Sequence, residues 1–271
     1  DALFVGANPP SDAVITYYQR RRHIFGDMKL EVYDASGKLL GTLPTSKRRG
    51  LNRATWSMRL AAPRVPPAAS AAFGAAYGPR VLPGTYTIKM TKDTATYATQ
   101  LTLVPDPRAT HTDAERQAAF DLALKMSGTL TDMTFAVERM NATRQALDDR
   151  AGKLPANDAV ARRLRAASAK VDSLRKKIVA TKEGGMITGE ERLRENLTEL
   201  YGNIIFWDGG PTQDQTNRAD ALARELADVS RDFEAWTTRE LAGINNALRG
   251  KKLEPIAVPA RQQWEAGGGG R

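Results

Sequence analysis

The sequence contains no cysteine among its 271 residues, which excludes disulfides, thiolate metal sites and cysteine nucleophiles. That absence fits an exported bacterial protein that avoids mispairing. Histidine is almost missing too: His23 and His111 stand alone, neither with a second histidine three or four residues away nor within a Glu-x-x-His repeat, so no metal site and no di-iron bundle is expected. No apolar run approaches the roughly 20 residues that span a bilayer. Phosphate-loop, dinucleotide and nucleophile-elbow motifs are all lacking. Adjacent acids such as Asp148-Asp149 and Glu190-Glu191 point in different directions on helices, so they do not make a glycosidase pair. Asn141-Ala-Thr143 and Asn196-Leu-Thr198 match the glycosylation acceptor pattern but fall inside expected helices. No catalytic residue and no cofactor is assigned.

What is present divides in two. Near Pro105-Asp-Pro107-Arg108, short β-type segments punctuated by Gly and Pro give way to long helical periodicity. The formal charge of +9 is as uneven as the texture. Residues 1–108 carry 15 Lys and Arg against 7 Asp and Glu, whereas the remainder is nearly balanced at 25 against 24. The basic residues cluster at Arg20, Arg21 and Arg22 and at Lys47, Arg48 and Arg49, a pattern suited to an anionic polymer or an acidic protein surface, or simply to solvated strand ends.

Before the boundary, alternation predicts strands over 13–18, 28–33, 38–43, 50–58, 85–90 and 97–104, with a hairpin at Asp34-Ala-Ser-Gly37. Six or seven short strands in about 100 residues suit an immunoglobulin-like antiparallel β-sandwich, with Trp56 and Tyr86 filling the space between sheets. The loop from Ala61 to Leu82 is too long for a hairpin connection and carries Phe73 and Tyr77. It either offers a binding surface or wraps over the helical half or over a neighbouring domain.

After the boundary, Thr112-x-x-Glu115, Thr188-x-x-Glu191 and Thr212-x-x-Gln215 read as capping boxes that open helices. A further helix is expected over 157–182, ending near Gly184-Gly185. The first helix should bury Phe120, Leu124, Leu130, Met133, Val137, Met140 and Leu147. The last should bury Leu222, Leu226, Val229, Phe233, Trp236, Leu241, Ile244 and Leu248. Short turns between amphipathic helices predict an antiparallel four-helix bundle. The fold class is therefore α+β and multidomain. Its expected parts are a linker over 1–11, the sandwich over 12–108, the bundle over 112–250 and a flexible tail over 251–271 that contains Gly267 to Gly270.

Several of these segments together carry a resemblance. Asn8-Pro-Pro10 with Asp12 to Tyr18, Lys29 to Gly37, Gly50 to Trp56, Val81 to Tyr86 and Val104 to Arg108 are similar to the C-terminal region of large exported bacterial proteins with sortilin-like β-propellers. These are commonly labelled BNR-repeat glycosyl hydrolases. The same strand pattern resembles the immunoglobulin-like domain of flagellar hook-capping proteins. Gly209-Gly-Pro-Thr-Gln213 adds to the resemblance, which spans most of the chain. It implies a non-catalytic docking or assembly module whose partner is an upstream propeller domain or a separate propeller subunit, with further protein or glycan binding. Export to the periplasm, the outer surface or the medium goes with it; nucleic acid does not. The start at Asp1, without a leader, fits either a removed signal peptide or a piece of a longer polypeptide. Two other readings stand beside this one. The chain can be part of a glycoside hydrolase whose active site lies mainly in a propeller outside it, or a stand-alone binder of anionic polymers. The candidate binding residues are Arg20, Arg21, Arg22, Lys47, Arg48, Arg49, Phe73 and Tyr77.

Overall fold

Alternating side chains produce six strands at the expected places: β1 (Ala13–Gln19), β2 (Met28–Tyr33), β3 (Leu39–Leu43), β4 (Gly50–Trp56), β5 (Gly84–Lys92) and β6 (Ala95–Leu103). The computed structural model describes residues 11–182 and 190–268. The expected linker, Ser11 apart, therefore lies outside the described residues, as do Gly184-Gly185, Thr188 of the second expected capping box and Gly269-Gly270. The fold is α+β. Strand β1 pairs with β4 in a two-stranded antiparallel sheet, and the second antiparallel sheet has the order β3-β2-β5-β6. Inward positions at every second residue, among them Leu30, Val32, Ala54, Trp56, Tyr86 and Ile88, form one core shared by both sheets. Trp56 meets Tyr86 edge to face at 5.1 Å between ring centroids, so both aromatics serve as core anchors.

The helical half comprises α1 (Asp113–Gly152), α2 (Ala159–Ile178), α3 (Leu193–Ile205), α4 (Gln213–Gly250) and a short α5 (Arg261–Ala266). Two of the expected capping boxes open the two longest helices. The Thr112 hydroxyl accepts from the Glu115 amide while the Glu115 carboxylate accepts from the Thr112 amide. Thr212 and Gln215 repeat the arrangement. Helix α2 is shorter than its periodicity suggested. Asp158 caps its start, and after Ile178 the buried Val179 turns extended while the buried Ala180 accepts from the Ala69 amide across the molecule. Along α1 the buried stripe begins at Leu122, Ala123 and Met126, leaving Leu124 41% exposed; from Leu130 onward the expected residues are the buried ones.

Cross-helix ion pairs give the helix directions. Lys125 meets Asp220 and Arg139 meets Glu234, so residue numbers rise together and α1 and α4 run parallel. Lys177 meets Asp232 and Arg163 meets Glu240, so α2 runs against α4. The start of α3 stands beside Lys177 and the middle of α4, and its Asn196 reaches Arg218 near the start of α4. Helices α2 and α3 thus follow one another down the same pair of long helices, against which their apolar stripes close one continuous core. The antiparallel relation expected of successive helices holds for α1 with α2 and for α3 with α4, and not for α1 with α4.

The 61–82 loop wraps over the helical half. Ala75 is buried in the helical core, the Thr134 hydroxyl donates to the Arg64 carbonyl at 2.8 Å, and the buried Arg194 donates to the Pro66 carbonyl at 2.7 Å. In the middle of this strap Gly74 lies so close to α3 that a Cβ there would be 2.2 Å from the Thr198 carbonyl oxygen. Beyond α4 the described part of the segment expected as a flexible tail, residues 251–268, also packs. Ile256 is 2% exposed and exchanges two hydrogen bonds with the Asn245 side chain. Trp264 lies against Phe135 and donates to Glu138. An amphipathic remnant this short carries too little periodicity to be read as an element.

Two glycine substitutions should separate packing from propensity. Gly74→Ala should destabilise the protein by about 1–3 kcal/mol through forced displacement of the strap. Gly128→Ala, in an exposed helix interior with open space around it, should stabilise it by about 1 kcal/mol. Urea unfolding of both variants measures the difference.

Candidate functional site

The structure brings the two basic clusters together. Gln19 pairs with Gly50 on the last rung of the β1–β4 ladder, so Arg20 leaves the sheet beside the point where Arg49 enters it. The His23 amide donates to the Lys47 carbonyl at 3.0 Å, and Lys47 Nζ donates to the Gly26 carbonyl at 2.7 Å. Arg20, Arg21, Arg22, Arg48 and Arg49 are exposed and Lys47 is half-buried. Beneath them Gln19 and the Tyr17 hydroxyl both donate to the Ser46 carbonyl, which ties the two loops to the sheet.

Phe73 and Tyr77 form a different surface, at the opposite end of β4. Strand β4 runs from Gly50 beside the basic loops to Trp56, and seven residues of strand span roughly 20 Å. Beyond it, Arg59 forms a bridge with Arg80 and donates to the Gly78 carbonyl at 2.9 Å. Its guanidinium also lies 5.8 Å from the Tyr77 ring centroid and 5.3 Å from that of Phe206. Tyr77 and Phe206 meet edge to face at 5.7 Å. Burial, followed by the neighbouring Arg80 charge, lowers the Arg59 pKa from its ordinary value. Phe73, Tyr77, Phe206 and Trp207 are 69%, 54%, 58% and 59% exposed, and Phe73, Phe206 and Trp207 line one shallow concavity with Glu199 and Asn203. Phe206, Trp207 and Arg59 were not among the sequence-derived candidates. The available signal was two adjacent aromatics just past a helix end, off the apolar stripe.

Rigidity beneath this cluster comes from buried groups. The wholly buried Tyr201 donates its hydroxyl to the Tyr77 carbonyl at 3.0 Å, and burial pushes its pKa well above the ordinary tyrosine value. Trp207 is seated on His111 and on Gly209, where a Cβ would come within 2.5 Å of the indole nitrogen.

Between the sheets and the helices lies a cleft of about 250 Å³, lined by apolar Met58, Leu82, Leu103, Phe120 and Ile204 together with Arg80, Asp106, Arg116 and Asp208. Its carboxylates are engaged. Arg108 hydrogen bonds hold the Asp106 pKa down to about 2, and Asp208 faces Arg80 at 3.5 Å. Asp158 and Asp220 elsewhere are likewise lowered, first by hydrogen bonds from Lys251 and Lys125. A general acid requires the reverse, a carboxyl whose pKa is raised. Among the described residues no group of three or more His, Asp or Glu is placed to hold a metal ion, and no helix is long and apolar enough to cross a membrane.

No known protein family, curated protein or solved structure matches this chain.

The buried tyrosine sets a pH dependence. Because the folded-state pKa of Tyr201 lies above its unfolded value of 10.0, the unfolded state releases this proton first and stability falls as pH rises past that value. Each further pH unit removes about 1.4 kcal/mol until the folded pKa is reached. Tyr201→Phe should cost about 1 kcal/mol at neutral pH by leaving the Tyr77 carbonyl without its donor, and should flatten this alkaline loss. Urea midpoints of the two proteins below and above about pH 10 check both effects.

Proposed function

We propose that the chain is a non-catalytic docking and assembly module of an exported bacterial protein with a sortilin-like propeller. In this reading the β half is an immunoglobulin-like sandwich and the helical half is a four-helix bundle in which α2 and α3 succeed one another. The observation that carries the proposal is the exposed group of Phe73, Tyr77, Phe206 and Trp207, with Arg59 stacked against Tyr77 and Phe206. Aromatics and arginine are the residues that dominate protein interfaces. These are mounted on a backbone locked by the Gly74 contact and by Tyr201, so little conformational freedom is lost when a partner covers them. The occupant is the propeller, as a neighbouring domain or a separate subunit. The glycoside-hydrolase alternative draws no support from the cleft, where Arg108 hydrogen bonds favour the ionised form of Asp106 and Asp208 is paired with Arg80.

Peptide mapping upstream of Asp1 in the source cells should find propeller sequence on the same polypeptide or in a co-purifying subunit. The isolated chain should then bind the separately produced propeller, and Phe206→Ala or Trp207→Ala should each weaken that association by more than about tenfold, as read by titration calorimetry. Absence of any association, or glycan turnover by the isolated chain, would overturn the reading.

A further inference from the structure

The end of the β half farthest from the helices carries a feature that charge alone does not explain. Between Arg22 and Gly26 the chain exposes Ile24 and Phe25 side by side, 65% and 85% accessible. Single exposed apolar residues are ordinary; here two large ones are adjacent in a loop whose backbone is tied on both flanks, at His23 and at Gly26 and Asp27. His23 is buried between the loops, its amide bonded to Lys47 and its ring 3.7 Å from Asp93. The Asp93 amide donates to the Asp27 carbonyl at 3.0 Å. Gly26 has a φ of +90°, and a Cβ there would lie 2.0 Å from the Asp93 carboxylate, so the turn requires glycine. Between these anchored residues Ile24 and Phe25 stand exposed to solvent.

Around this pair stand Arg20 to Arg22, Lys47 to Arg49 and Lys92, against only Asp27 and Asp93 in the same loops. Tyr18 and Leu51, paired across the sheet on the rung next to Gln19 and Gly50, are 68% and 66% exposed and place further apolar surface beside the basic residues. An exposed apolar tip within a collar of cations fits one kind of partner surface. A linear polyanion would satisfy the arginines and leave Ile24 and Phe25 in water. An anionic bilayer offers headgroup phosphates to the collar and an apolar layer to the tip, within the 5–10 Å that interfacial segments penetrate. Tyrosine at the collar suits the interface between those layers.

We propose that the Ile24-Phe25 tip and its basic collar form a membrane-surface anchor that inserts into lipid bilayers with anionic headgroups. The anchor is separate from the aromatic cluster at the other end of β4, so a bilayer and a protein partner can be held at once.

Co-sedimentation with phosphatidylcholine vesicles, with and without phosphatidylglycerol, tests the proposal on the full chain. Binding should require phosphatidylglycerol and weaken with salt. The double variant Ile24→Ser/Phe25→Ser should lose more than about tenfold in vesicle partitioning while its retention on immobilised heparin, a polyanion without an apolar layer, stays that of the parent. Arg21→Gln and Arg49→Gln should each weaken vesicle binding about fivefold and lower heparin retention as well. The proposal is overturned if the parent binds heparin but not the anionic vesicles, if it binds neither, or if the double variant partitions like the parent. Far-UV circular dichroism of each variant establishes that it is folded, and the two arginine variants address the same site without altering Ile24 and Phe25.

Discussion

Gly74 and Gly202 meet backbone to backbone, and the junction between sheets and helices is organised around that approach. With any side chain at Gly74 the strap would have to stand off from α3. The neighbouring contacts would then lengthen together: Tyr201 to the Tyr77 carbonyl, Arg194 to Pro66, and Ala75 in the helical core. Close packing makes such contacts cooperative, because a displaced backbone cannot keep some of them and release others. The exposed aromatics depend on the same contact, since Phe73 and Tyr77 lie on the strap and Phe206 at the end of the helix it touches.

Energy and direction have different sources in the helical half. Most of the stabilisation comes from burying residues such as Leu130, Met133, Leu197, Leu222 and Phe233, each at most 2% exposed. The ion pairs between α1 and α4 are partly exposed and contribute modestly. Their value is in register: Lys125 with Asp220 and Arg139 with Glu234 are compatible with only one parallel offset of the two helices. A parallel pair needs a connection that returns the chain to its starting end, and α2 followed by α3 supplies it in two steps, each too short to run the length of α1 alone.

The β half separates two unlike surfaces at opposite ends of β4. Its antiparallel ladders fix the distance from the basic, apolar-tipped loops at Gln19 and Gly50 to the aromatic junction beyond Trp56. Trp56 and Tyr86 interlock across the core that the two sheets share.

Strand positions and the starts of α1 and α4 were determined by the sequence itself, because they rest on local rules, whereas α3, expected from the Thr188 box, begins only at Leu193. Alternation placed β2 at Met28–Tyr33 to the residue, and the Thr112 and Thr212 boxes marked the starts of α1 and α4, since a cap is made by atoms three residues apart. The basic clusters and Phe73 and Tyr77 were also legible as residues, though not as two surfaces at opposite ends of a strand. Tertiary structure decided what depends on distant partners. Helix α2 stops at Ile178 because Ala180 pairs with Ala69. Leu124 faces water because the neighbours of α1 lie on the side of Leu122 and Met126. Ile256 and Trp264, beyond Gly250, pack because Asn245 and Phe135 hold them. Phe206 joins the aromatic cluster because Arg59, far away in the chain, reaches it. Short-range periodicity and capping carry information over a few residues, whereas helix direction, surface grouping and the fate of an ambiguous tail are settled only by which surfaces the folded chain brings within contact distance.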